Sequence, residues 1–312
     1  MRDDGDYLWD GSGEPDPDVA ALEEALAPLR LSAGPPPAAA GTADTSPRRF
    51  VAPALLLAVA AALALIVLLP GMVVPSGPQP WSIDGGGVLA VGEWLETDAE
   101  REVLLQVADI GSMAVAPDSR LRLIATGEDQ HRLELAQGRV SATVLAPPRL
   151  LVVETPAAAA VDLGCAYTLE VTDAGDTVLW VSSGRVALEA PGRDVLVPAG
   201  AIAIASADGG PGTPLFTDAP ASLVEAVRAV DLREDGAQEA LVAALPVARV
   251  KDTLSLWHLL AVMDRPARVA ITERIFLLDP LLERAQLTPE DITSLDPAAM
   301  MRLRDELEFQ WF

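Results

Sequence analysis

One cysteine, two histidines and one lysine stand among 312 residues, and each scarcity closes off a kind of chemistry. Cys165 has no second cysteine to pair with, so no disulfide staples the chain internally. With only His131 and His258 beside it, a zinc site of the usual Cys/His kind cannot be assembled within one chain. No acidic loop has the spacing of an EF-hand calcium site, and no cofactor is expected. Cations are scarce too. The 22 Lys and Arg face 46 Asp and Glu, a net charge of −24. The deficit is spread over every region, so no segment is basic enough to grip a phosphate backbone and no nucleic-acid partner is expected.

The same shortages argue against an enzyme. Catalysis needs a base set against a nucleophile or a metal. His131 lies in a polar turn (GEDQHR) and His258 follows Trp257 in an apolar helix. Each reads as a surface or packed residue, and no catalytic residue is assigned. Glu128-Asp129, and Asp109 with Asp118, fall in solvated turns. Cys165 reads as a small apolar residue in a buried strand; as an odd cysteine it could otherwise pair between chains.

What the chain does have is one long apolar run. Val51 to Leu69 carry no charge, and Pro53 alone interrupts the apolar residues. A helix of that length spans roughly 28 Å, close to the ~30 Å core of a bilayer. One transmembrane helix is therefore expected over 50–73. Arg48 and Arg49 precede it directly, and the next cation after Leu69 is Arg101. The positive-inside rule then puts residues 1–49 in the cytoplasm and the bulk of the chain outside. A cleaved leader would place its apolar region within the first ~30 residues.

Residues 1–49 read as a cytoplasmic tail with one short amphipathic helix and a Pro/Ala-rich linker. Asp16 suits an N-cap and Pro17 the first helical position. Val19, Leu22 and Leu26 then share a face, with Tyr7, Leu8 and Trp9 as further apolar anchors. So short a helix is marginal alone and would order against a partner; otherwise the tail is a plain tether.

A second linker, 74–87, leads into a change of period. From 88 to 210 apolar residues alternate with polar ones, as in Leu121/Leu123, Leu133/Leu135, Val140/Ala142/Val144 and Tyr167/Leu169/Val171. Turn clusters at 116–119, 173–176 and 191–193 separate the strands. The fold class expected is an all-β sandwich, roll or short solenoid. Gly138-Arg139-Val140 and Gly184-Arg185-Val186 form a weak internal repeat, each Gly standing where a bend or bulge would fall. From 220 to 312 the period returns to 3.6, giving an all-α C-terminal region. Ser222 to Glu225 reads as a capping box, with further helices near 236–244, 252–263, 266–278, 280–286 and 297–309. The whole is thus a mixed multidomain chain.

A string of motifs in order resembles the FecR family of single-pass bacterial regulators. It runs through Asp118-Ser119-Arg120-Leu121, Gly138-Arg139-Val140, Thr155-Pro156-Ala157, Leu163-Gly164-Cys165-Ala166-Tyr167, Gly184-Arg185-Val186 and Gly200. Cys165 takes a place where the family usually has Thr. The resemblance implies a bacterial inner-membrane protein with a periplasmic β domain, controlling an extracytoplasmic-function sigma factor through its tail. It also implies an envelope partner or ligand, which the sequence does not identify. The alternative is a membrane-tethered scaffold or binding protein with no sigma-factor role.

Overall fold

The computed structural model describes residues 81–285 and 287–312, all within one compact unit, Val74–Phe312. The strands among them are β1 (Trp81–Ile83), β2 (Val88–Leu89), β3 (Trp94–Glu96), β4 (Val103–Val107), β5 (Gly111–Val115), β6 (Arg120–Ala125), β7 (His131–Val144) and β8 (Leu151–Glu154). They continue with β9 (Ala159–Asp162), β10 (Ala166–Val171), β11 (Thr177–Ser183), β12 (Arg185–Ala190), β13 (Arg193–Pro198), β14 (Ala201–Ser206), β15 (Gly210–Pro211) and β16 (Leu215–Phe216). The first of these lies inside the stretch read as a linker.

Two sheets share β7. One runs β2-β1-β4-β5-β7-β10-β11-β14, with the short β15 and β16 both paired to β14; the other runs β3-β6-β7-β8-β9-β12-β13. Every pairing is antiparallel except β7 with β8. The first half of β7 pairs with β6, Leu133 opposite Leu123 and Leu135 opposite Leu121. The second half pairs with β5 and β10, Val140 lying between Val115 and Leu169. Alternation is kept on each side of the join but changes parity across it. Leu133 and Leu135 are buried before Gly138, and Val140, Ala142 and Val144 after it. A strand that leaves one sheet for the facing one must turn its inward side over, and the parity change does that.

The chain crosses back at Gly184, between β11 in the first sheet and β12 in the second. The buried set shifts again, from Leu179 and Val181 to Val186 and Leu188. Both inner faces meet in one apolar core, so the architecture is two packed sheets joined through strands that change sheet, rather than a solenoid.

The α-helices are α1 (Ala221–Asp231), α2 (Ala237–Ala244), α3 (Thr253–Leu260), α4 (Arg265–Leu278), α5 (Pro289–Thr293) and α6 (Pro297–Glu308). Asp264 and Asp296 cap α4 and α6, accepting from Ala267 N at 2.9 Å and Ala299 N at 2.8 Å. The expected box at Ser222 is not the start of α1: Pro220 is the N-cap, without a side-chain cap. Residues Pro280–Ala285 are a 3₁₀ turn. Leu260, Ile271, Ile275, Leu303 and Leu307 are buried, and Trp257, Leu278 and Met300 pack half-buried against them.

The expectation of a transmembrane helix is corrected here. No helix among the described residues is long and apolar enough to cross a membrane. The longest, α4, has 14 residues, about 21 Å at 1.5 Å per residue, against the ~30 Å required. It buries Ala267, Ile271, Thr272 and Ile275 on one side and exposes Arg265, Glu273 and Leu277 on the other. Residues 50–73, read as that span, lie outside the described residues, as do the tail and Arg48 and Arg49. Among the described residues the fold is a two-sheet β region followed by helices.

The glycine that lets β7 change sheet has φ +86°, and a Cβ built on it would stand 2.5 Å from Ser119 Cα. Gly192, with φ +89°, has nothing within 4 Å of that position. Gly192→Ala should therefore cost only the conformational strain of about 1 kcal/mol, and Gly138→Ala about 3 kcal/mol or more. Chemical denaturation of the two variants measures the difference; equal losses would show that close approach at residue 138 is unimportant.

Candidate functional site

The motif residues singled out by sequence do not converge on one open pocket; they form the joints of the two sheets. Ser119 Oγ sits against Gly138, accepting from Arg139 N at 3.0 Å and donating to Arg139 O at 3.3 Å. Arg139 reaches Glu170 at 3.3 Å on the outer face, while Val140 turns inward. Gly184, with φ +69°, lies so close to Gly164 that a Cβ would stand 2.1 Å from its carbonyl oxygen. Arg185 O accepts from Leu163 N at 3.3 Å, tying this joint to the loop before β10. Val186 is buried. Gly200, with φ +79°, turns β13 into β14 and donates its N–H to Val181 O at 2.8 Å.

Thr155 and Pro156 make the turn between β8 and β9. The Thr155 backbone N–H and hydroxyl both donate to Ala158 O, at 2.9 and 2.6 Å. Thr177 Oγ1 donates to Thr155 Oγ1 at 2.6 Å from across the core. A β-branched hydroxyl residue suits this place because it closes the turn and anchors it at once.

Beneath Gly164 lies a buried polar cluster in which Cys165 and Tyr167 join Asp162, a residue that sequence reasoning did not single out. Asp162 Oδ1 accepts from Gly164 N at 2.7 Å, and Cys165 Sγ donates to Asp162 Oδ2 at 2.6 Å. Burial raises the Asp162 carboxyl above its ordinary range, partly opposed by those two hydrogen bonds. Burial also raises the Cys165 thiol, and the bond to Asp162 raises it further. The Tyr167 hydroxyl is buried without a hydrogen-bond partner, and burial pushes its pKa up as well. A thiol held in its protonated form is a poor nucleophile.

The two histidines are buried. His131 Nδ1 meets Thr126 Oγ1 at 2.8 Å, and the same oxygen accepts from Trp81 Nε1 at 3.3 Å. Burial lowers the His131 pKa, against the opposing charge of Asp109. His258 Nε2, on α3, accepts from Leu196 N at 3.4 Å at the outer edge of β13. Burial, helped by the charge of Arg193, pushes its pKa down to about 3.

His258 belongs to a seam that holds the helices against the β region. Arg185 pairs with Glu308 on α6, and Ser255 Oγ donates to Pro214 O at 2.6 Å. Thr213 gives its N–H and hydroxyl to Asp231 at 2.7 and 2.8 Å. The alternating pattern could not show this seam, because its partners lie up to 123 positions apart. Arg185, Asp305, Glu308, Phe309 and Phe312 line a hollow of about 520 Å³ at its end. Among the described residues no three of His, Cys, Asp and Glu are placed to share a metal ion.

Residues 93–187 match the family model described as FecR protein. That stretch opens at β3, holds both Gly-Arg-Val joints and ends in β12, so this part of the chain is FecR-like. Two crystal structures of a protein from Parabacteroides distasonis, provisionally named an anti-sigma factor, are similar at 16% identity and a TM-score of 0.35. Each alignment covers 43% of this chain and 63% of the other. The chain therefore spans less than two thirds of those structures. Curated proteins give no match.

The seam should be sensitive to acid. His258 is neutral in the fold down to about pH 3, whereas in the unfolded chain it takes a proton near 6.5. Stability is thus fully present above about pH 6.5 and lost as the pH falls toward 3, by up to about 1.4 kcal/mol per pH unit for one proton. Asp162, with its raised pKa, contributes the opposite slope, but it is shared by wild type and variant. His258→Gln should flatten the loss between pH 6.5 and 4.5 in urea titrations. Parallel curves for the two proteins would contradict a buried neutral His258.

Proposed function

We propose that this chain regulates a bacterial sigma factor of the extracytoplasmic-function type. Its β region serves as the regulatory module, and its N-terminal tail is the part that binds the sigma factor. The observation that carries the proposal is the FecR match over residues 93–187. The motif positions in that stretch are occupied by joints and turns of a packed two-sheet body. A body of that kind suits the relay of a binding event better than a reaction.

The role is non-catalytic. Both histidines are buried with lowered pKa values, and the one thiol is buried and protonated. The tail residues Val19, Leu22 and Leu26 supply an apolar stripe too short to fold alone, and folding onto a partner is the natural use of such a stripe.

The test is made on the full chain. Leu22→Asp with Leu26→Asp removes two anchors worth about 1.5–3 kcal/mol each, so sigma-factor binding should fall at least a hundredfold. The melting transition of the β region should stay unchanged. Co-purification and a transcriptome of the double variant provide the readout. Unchanged transcription with normal protein level would overturn the regulator and leave a scaffold or binding role.

A further inference from the structure

The outer faces of the two sheets differ in charge, and the difference marks an interaction surface. Across the second sheet the register runs Trp94, Arg122, Glu134, Glu154, Ala159, Glu189, Asp194. Ion pairs link Arg122 to Glu134, Arg132 to Glu154 and Arg149 to Glu189 on that face. Arg120 and Arg122 both lie over the Trp94 ring, 4.1 and 4.8 Å from its centre. This is a solvated face.

Across the first sheet the corresponding row reads Leu104, Ala114, Ser141, Thr168, Trp180, Ile202, one residue from each of six adjacent strands and none charged. The row on one side adds Gln106, Ser112, Thr143 and Ala166. The row on the other runs Arg139, Glu170, Val178, Ile204, and its two charges, on the central strands β7 and β10, pair with each other. Leu104 is 45% exposed and Ile204 41%; Ser141 and Thr143 are exposed as well. On a chain of net charge −24, a neutral face of this breadth calls for a physical reason.

We propose that this face docks a second copy of the same chain. A charged partner gains nothing from a neutral surface. Two equally acidic copies, by contrast, can approach closely only through a surface free of like charges. The row is also self-complementary. A twofold axis parallel to the strands, passing between β7 and β10, sets Ser141 of one copy over Thr168 of the other. The same operation lays Ala114 over Trp180 and Leu104 over Ile202, so the largest side chain meets the smallest, and the strands stay aligned as packed sheets require. Six strands about 4.8 Å apart and three rows of alternate residues make a face roughly 24 Å by 20 Å, on the order of 500 Å² per copy, which puts the pairing at the weak, reversible end of interfaces.

The full-length chain carrying Thr168→Cys tests this with a short bis-maleimide, which bridges thiols of neighbouring copies. Wild type, whose one cysteine is buried, sets the background, and Arg122→Cys places a thiol on the charged face. Covalent dimer is expected with Thr168→Cys at least tenfold above both controls. Adding Ser141→Glu should abolish it while the thermal transition of the variant remains cooperative. Equal yields from the two cysteine positions, no dimer from either, or cross-linking of Thr168→Cys only to a different protein would overturn the proposal.

Discussion

The β region depends on two crossings between its sheets, at each of which the backbone passes closer to a neighbour than any side chain would allow. At Gly138 the strand β7 slides past Ser119, and at Gly184 the chain slides past the carbonyl of Gly164. Each passage carries the chain from one sheet to the facing one. Without a Cβ, and with positive φ at no steric cost, glycine makes the crossing available. The parity change in the buried residues then lets both halves of the chain feed one core. The Arg-Val that follows is used alike at both joints: Val enters the core and Arg leaves for an ion pair outside.

The two arginines then diverge. Arg139 pairs with Glu170 inside the β region, whereas Arg185 pairs with Glu308 on α6. The second joint is therefore also where the helices are fastened. His258 completes the fastening by covering a backbone N–H of β13, the last strand of its sheet. An uncovered strand of that length would invite pairing with another chain. The remaining sheet margins end in strands of two or three residues, which offer little to pair with.

Two polar side chains of the core close turns rather than line a cleft, half-buried Thr155 between β8 and β9 and buried Asp162 before β10. Asp162 is the clearest case. Its carboxyl closes the Gly164 turn and receives the Cys165 thiol, satisfying acceptors that would otherwise be costly to bury. The FecR-like motif thus reads as a code for bends. That explains why its residues are spread along the β region instead of meeting at one point, and why surface charge, not motif, distinguishes the two outer faces.

By itself the sequence determined the period-two strands, the punctuating turns, the change to helical period near residue 220 and the likeness to FecR. These rest on neighbours within a few positions, where steric and hydrophobic rules act locally. Even the parity change across Gly138 and Gly184 is written in the order of the apolar residues. The sequence also suggested a membrane span, because an apolar run of that length satisfies a length rule; the described helices show no such element. Tertiary structure alone decided that Gly184 abuts the carbonyl of Gly164, that His258 seals β13 and that Arg185 holds α6. It alone decided that six uncharged residues from six strands line up across one face. Those relations are set by strand register and by packing between distant segments, and no local pattern encodes which distant residue will arrive opposite.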